Sequence, residues 1–139
     1  MALFRRRTPP PPSYADDGSL GTVATAYDVT AGDAGAVSLL PPGQAVLVRQ
    51  VFTGVGPGDL GALAEMGAEE GWGALSCDDA GRAVLRSTRL VTPLSAAQQR
   101  ARMTGIAHRL AVSYDGWEAA VPPAEPPAVS KGRRGRGRG

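Results

Sequence analysis

The sequence predicts a single α+β domain with unstructured ends, and three observations carry that prediction. Apolar residues between positions 44 and 121 follow the strand period and the helix period in turn. Proline and glycine, 12 and 19 of 139 residues, gather at the two ends and in the connections. The single cysteine, Cys77, allows no intrachain disulfide and no thiolate metal cluster.

Residues 1–19 run through Arg5, Arg6, Arg7, the prolines from Pro9 to Pro12, and then Asp16, Asp17, Gly18 and Ser19. They hold too little apolar area to offset the roughly 1–2 kcal/mol per residue that backbone ordering costs, and are expected to be disordered. Residues 20–43 scatter Val23, Val29, Val37, Leu39 and Leu40 among Ala, Gly and Thr, so a short strand or a weakly ordered arm is expected there.

The first core strand is predicted from Ala45 to Phe52, β-branched and bounded by Pro41-Pro42-Gly43 and by Gly54 to Gly58. Asp59 caps a helix whose Leu60, Leu63, Ala64 and Ala68 recur near helical period before Gly71 stops it. Trp72–Cys77 and Arg82–Val91 flank the turn formers Asp78, Asp79, Ala80 and Gly81 and read as an antiparallel hairpin. After Pro93, Ser95 and Gln98 have capping-box spacing, opening a helix with the apolar stripe Met103, Ile106, Ala107 and Leu110. Tyr114–Val121 fits a last strand. The order β-α-β-β-α-β over residues 44–121 is the split βαβ arrangement of ferredoxin-like folds. Residues 122–139 form a Pro-rich spacer and an Arg/Gly tail, expected to be disordered.

Charge is distributed unevenly. Arg5 to Arg7 lead the chain and Lys131, Arg133, Arg134, Arg136 and Arg138 close it, so the middle carries a net charge of about −6 although the whole carries +2. The preference for Arg over Lys, with abundant Ala, Gly and Pro, points to a high-GC bacterium. The first twelve residues lack the apolar run of a secretory signal and no stretch approaches a membrane span, so a cytoplasmic protein without membrane contact is expected.

Several chemical motifs reduce to structural readings. Gly56-Pro-Gly-Asp-Leu-Gly61 matches a dinucleotide fingerprint, with Asp78 about twenty residues on, but Asp59 would place a carboxylate where a pyrophosphate docks. The following strands form a hairpin rather than a parallel crossover. A Gly-rich loop is the reading. His108 lies off the helix's apolar stripe with no nucleophile motif, so it faces solvent. Cys77 is assigned to strand packing, and Asp78 and Asp79 to turn formation, since one turn supplies too few oxygens for a hard cation. No cofactor, metal or catalytic residue is expected, and the protein is read as a non-enzyme.

Two segments remain as candidate sites. Tyr114-Asp115-Gly116-Trp117-Glu118 combines a Trp needing a partner for its indole N–H, a Gly permitting close backbone approach, and two carboxylates. Strand entry and a partner-binding edge both fit. The tail, with Lys131, Arg133, Arg134, Arg136 and Arg138, could neutralise several phosphates and so bind RNA in a salt-sensitive way, or serve solubility alone. Tethered beside an acidic domain, it could hold that domain near RNA.

The Tyr-Asp-Gly-Trp-Glu strand entry resembles the closing motif of the ribonuclease E inhibitor B family, RraB. An apolar first strand, a helix ending at the Gly-aromatic pair Gly71-Trp72, a hairpin and a Pro-initiated helix accompany it, so the resemblance spans roughly residues 44–121. It implies a compact α+β domain that binds ribonuclease E away from its catalytic chemistry and alters which RNAs are cleaved, with no catalytic residues of its own. The chain departs from that pattern in lacking an acidic helical lead-in and in carrying the Arg/Gly tail. The expected function is therefore regulation of RNA turnover through a ribonuclease of the E/G type. The alternative is a small RNA-binding accessory protein acting through its tail.

Overall fold

The computed structural model describes residues 13–27 and 32–123. In chain order the elements are β1 (Gly21–Ala26), α1 (Asp33–Val37), β2 (Val46–Thr53), a 3₁₀ turn (Pro57–Asp59), α2 (Leu60–Glu69), β3 (Gly73–Cys77), β4 (Ala83–Arg89), α3 (Pro93–Leu110) and β5 (Ser113–Val121). The strands form one five-stranded sheet in the order β1-β5-β2-β4-β3, every neighbouring pair antiparallel. The six elements expected between residues 44 and 121 are all present in the expected order. No helix among the described residues is long and apolar enough to cross a membrane.

The sheet has two unlike faces because side chains alternate along each strand. On β2, Val46, Val48 and Phe52 point into a core cluster with Leu85, Trp117 and Ala119 of the sheet. That cluster also takes Ala36 from α1, Leu63 from α2, and Ala96, Met103, Ile106 and Ala107 from α3, so all three helices cover this face. Leu47, Val51, Val84 and Ala120 are buried too, yet stand outside the cluster, on the opposite face.

Packing sets details that the apolar period left open. In α2 the residue pressed to the sheet is Gly67, not Ala68, which is exposed. A Cβ on Gly67 would stand 2.7 Å from Leu85 Cδ1, so glycine lets the helix approach. Helix α3 starts earlier than the Ser95–Gln98 spacing suggested. Thr92 is the N-cap with Pro93 in the first turn, and Thr92 and Ser95 exchange the capping-box bonds at 3.0 and 2.9 Å. It ends at Ala111, whose φ of 57° is left-handed, with Val112 N–H bonded to the Ala107 carbonyl at 3.0 Å. Asp78 does form the hairpin turn: its Oδ1 accepts from the N–H groups of Ala80 and Arg82, each at 2.9 Å. Cys77 corrects its assignment, being exposed on β3 rather than packed; His108 is exposed as expected.

Before residue 44 the short strand that the sequence allowed is present, and more of the chain is ordered than expected. The weak segment 20–43 contributes β1, paired along β5 from Gly21↔Val121 to Ala26↔Trp117, and α1, which packs on α3 and β1. Residues 13–19, expected to be disordered, place Tyr14 and Asp16 against β2 and β4: the Tyr14 N–H donates to Thr88 Oγ1 at 2.9 Å, and Asp16 pairs with arginines of both strands. Neither segment carries apolar periodicity, because each is held by a ladder or a few polar contacts rather than by an apolar stripe.

Candidate functional site on the uncovered sheet face

The Tyr114–Glu118 segment divides between the two faces. Trp117 is 1% exposed and sits in the core, its Nε1–H donating to Asp33 Oδ1 at 3.0 Å. Arg100 holds the same carboxylate, from Nε at 3.1 Å and from Nη2 at 2.9 Å, and its Nη2 also donates to the Ala26 carbonyl at 2.5 Å. Burial opposes ionisation of Asp33, but the hydrogen bonds from Arg100 and Trp117 keep its carboxyl below the ordinary range. This cluster clamps α1 and the end of β1 to α3 and β5.

Tyr114 leans on Phe52 with ring centroids 5.3 Å apart and donates its hydroxyl to Gln50 Oε1. Burial pushes its phenol well above the ordinary value. Gln50 is fully buried, and its Nε2 has no hydrogen-bond partner among the described residues. Gly116 has φ 129°, and a Cβ there would overlap the Ala26 carbonyl oxygen and meet Tyr27 Cα at 2.7 Å. Glycine is required because β1 passes directly against it. Trp117 and Gly116, for which strand entry and a partner-binding edge both fit the sequence, are interior groups. Strand β5 lies between β1 and β2, so it offers no free backbone edge.

Asp115 and Glu118 belong with the face that carries no helix. Asp115 accepts from Thr53 Oγ1 at 3.0 Å. Glu118 stands opposite Arg49 in register, takes its Nη1 at 2.7 Å, accepts from the Tyr27 hydroxyl, and lies 4.0 Å from Arg82 Nη2. Arg49 in turn stands opposite Arg86 of β4. Two guanidinium groups directly across a ladder repel. Asp16 bridges them: its carboxylate accepts from Arg49 Nε at 2.8 Å and Nη2 at 2.7 Å, and its Oδ2 also accepts from Arg86 Nε. Arg86 is further fixed by the Ala74 carbonyl at 2.8 Å and Ser76 Oγ at 2.9 Å.

The charges in this row shape one another. The Arg49 hydrogen bond, against the cost of burial and with help from Arg86, holds Asp16 far below the usual carboxylate range. Burial, then the negative charge of Asp16, pushes Glu118 upward. The row Glu118–Arg49–Asp16–Arg86 alternates two carboxylates with two guanidinium groups across the helix-free face. Among the described residues no three His, Cys, Asp or Glu side chains group to hold a metal.

Sequence reasoning found Glu118 and missed Asp16, Arg49 and Arg86. The available signal was an arginine inside each strand, Arg49 amid apolar residues and Arg86 directly after Ala83-Val84-Leu85. Lys131, Arg133, Arg134, Arg136 and Arg138 lie outside the described residues.

Fold and site together define a class: a mixed α+β domain, with three helices on one face of a five-stranded antiparallel sheet and a row of paired charges on the other. No family model, curated protein or solved structure matches the chain.

Proposed function

We propose that the protein is a non-catalytic regulator of RNA turnover that docks on a ribonuclease of the E/G type through the helix-free face of its sheet. The observation that carries this reading is the charged row itself. Glu118, from the motif that resembles the ribonuclease E inhibitors, stands in one line with Arg49 and Arg86, at the centre of a face with an apolar floor of Leu47, Val51 and Val84. A row of charges over a rigid, apolar-backed sheet suits electrostatic complementarity with a protein partner. The strand order supports the finer fold assignment as well: β4 fills the gap between β2 and β3, which the α2 crossover connects, as in a split βαβ unit of ferredoxin-like type. In this reading Trp117, Gly116 and Tyr114 build the strand that presents Asp115 and Glu118, and do not touch the partner.

The test is capture from nuclease-treated lysate of the native host, using the full chain and a chain ending at Pro123. Recovery of a ribonuclease E/G protein by both baits, lost with Glu118→Lys, is the expected result. Retention of RNA alone, by the full chain in untreated lysate, would replace this reading with RNA binding through Lys131, Arg133, Arg134, Arg136 and Arg138.

A further inference from the structure

We propose that the Arg49–Arg86 pair is a docking site for an extended acidic peptide, and that Asp16 is its occupant in cis, displaced when a partner's carboxylate takes its place. The assignment rests on the protein-binding reading above but not on the partner being a ribonuclease.

Four features of the face lead there. The two arginines are opposed in register, an arrangement that is favourable only with an anion between them. The anion present is a carboxylate held fork to fork by Arg49 at 2.8 and 2.7 Å, the geometry that distinguishes a guanidinium from a point charge. Its tether is slight. Among the described residues, the polar ties of residues 13–19 to the rest of the protein are the Tyr14 N–H on Thr88 Oγ1 and the Asp16 carboxylate itself. Beside it runs a cleft of about 520 Å³, floored by Leu47 and walled by Ala74, Ser76 and Thr88, which the described residues leave unfilled.

The arm also shows what ligand the site takes. It is a polypeptide offering a backbone N–H to Thr88 and, two residues later, a carboxylate to the arginines. A phosphate fits less well. Glu118 already occupies Arg49 Nη1 at 2.7 Å, so a dianion would sit beside a carboxylate, whereas a single carboxylate replaces Asp16 like for like. Among the described residues the cleft lining includes no aromatic ring except that of Tyr14 on the arm, so bases would find no stacking platform there.

Asp16 lies five residues before β1 begins at Gly21, a short leash that gives it an effective concentration on the order of millimolar. A free peptide must outcompete that. The probe is therefore a fluorescein-labelled peptide with the sequence of residues 13–19, Ser-Tyr-Ala-Asp-Asp-Gly-Ser, titrated by anisotropy into the full chain. Asp16→Asn should bind it about tenfold or more tighter than wild type, and adding Arg86→Gln should remove the gain. Tyr14→Pro, which deletes the N–H bonded to Thr88 and leaves both arginines intact, should produce a smaller gain. It also serves as the probe if Asp16→Asn does not fold. A peptide with Asn at its first Asp should bind neither variant. Equal binding by wild type and by whichever of the two variants folds overturns the proposal, as does a gain shown by an oligouridine RNA instead of the peptide. The assay contains no ribonuclease, so its outcome is independent of the capture experiment.

Discussion

Two aspartate–arginine anchors, one on each side of the sheet, attach the same stretch of chain to the same core, and they do so under different conditions. On the helix side Asp33 takes Arg100 and the Trp117 indole in a packed setting that also fixes the end of β1. On the other side Asp16 takes Arg49 and Arg86 with no helix above it and a cleft beside it. The first anchor is enclosed by structure that loses its fit if the anchor goes. The second ties only residues 13–19 to the sheet. Similar chemistry therefore holds α1 and the end of β1 on one face and a short arm on the other, and what differs is the amount of packed structure that depends on it.

The strongest way to break the contrast is at the helix side. Gly116→Ala should destabilise the fold by about 3–5 kcal/mol, since it adds backbone strain at positive φ to a clash with the backbone of β1 that no side-chain motion relieves. Urea denaturation would measure it, and a loss under 1 kcal/mol would show that β1 is not held where described. Next comes Arg100→Leu, which leaves the Asp33 carboxylate with the Trp117 indole N–H alone. A loss of about 2–3 kcal/mol is expected, with a blue-shifted or quenched tryptophan signal reporting the change at Trp117.

Asp16→Asn should cost less, about 1–2 kcal/mol near neutral pH, because Arg49 keeps Glu118 and Arg86 keeps the Ala74 carbonyl and Ser76 Oγ as acceptors. The sign of its pH dependence follows from its lowered folded-state value. The carboxylate contributes its full stabilisation above its unfolded pKa of about 4 and loses it as pH falls below that toward the folded value. The stability gap between wild type and Asp16→Asn should hold steady above about pH 5 and close in more acidic buffer. A gap that widened on acidification would contradict the ion-pair assignment. Glu118, whose value is raised, acts in the opposite sense between its unfolded and folded values, so Glu118→Gln serves as the control. The smallest effect expected is a gain: Ala111→Gly, at the left-handed residue closing α3, should stabilise by about 0.5–1 kcal/mol, read as a higher thermal midpoint.

The legibility of the fold varied with the range of the interactions that form it. Strand β2 was readable because Val, Leu and Phe run through it between proline and glycine breakers, β4 because its apolar start follows the turn formers Asp78 to Gly81, and α3 because Met103, Ile106 and Ala107 repeat at helical period. Strand β1 was legible only as one alternative to a weakly ordered arm, since Gly21–Ala26 mixes small and polar residues with a single Val and becomes a strand by pairing with β5. Of the candidate site, Glu118 and Asp115 were legible through the motif they belong to. Trp117 and Gly116 were recognised as special, but their role is internal, and a sequence motif does not say which way its side chains point.

What the sequence by itself determined is the order and type of the elements from residue 44 to 121, the turn at Asp78 and the solvent position of His108, all consequences of local apolar period and local hydrogen bonding. What only the tertiary structure decided is that Arg49 and Arg86 stand opposite each other, that Asp16 bridges them, and that β1 presses on Gly116. Those contacts join residues 33 to 90 positions apart, and strand register, which no local pattern encodes, brings them together.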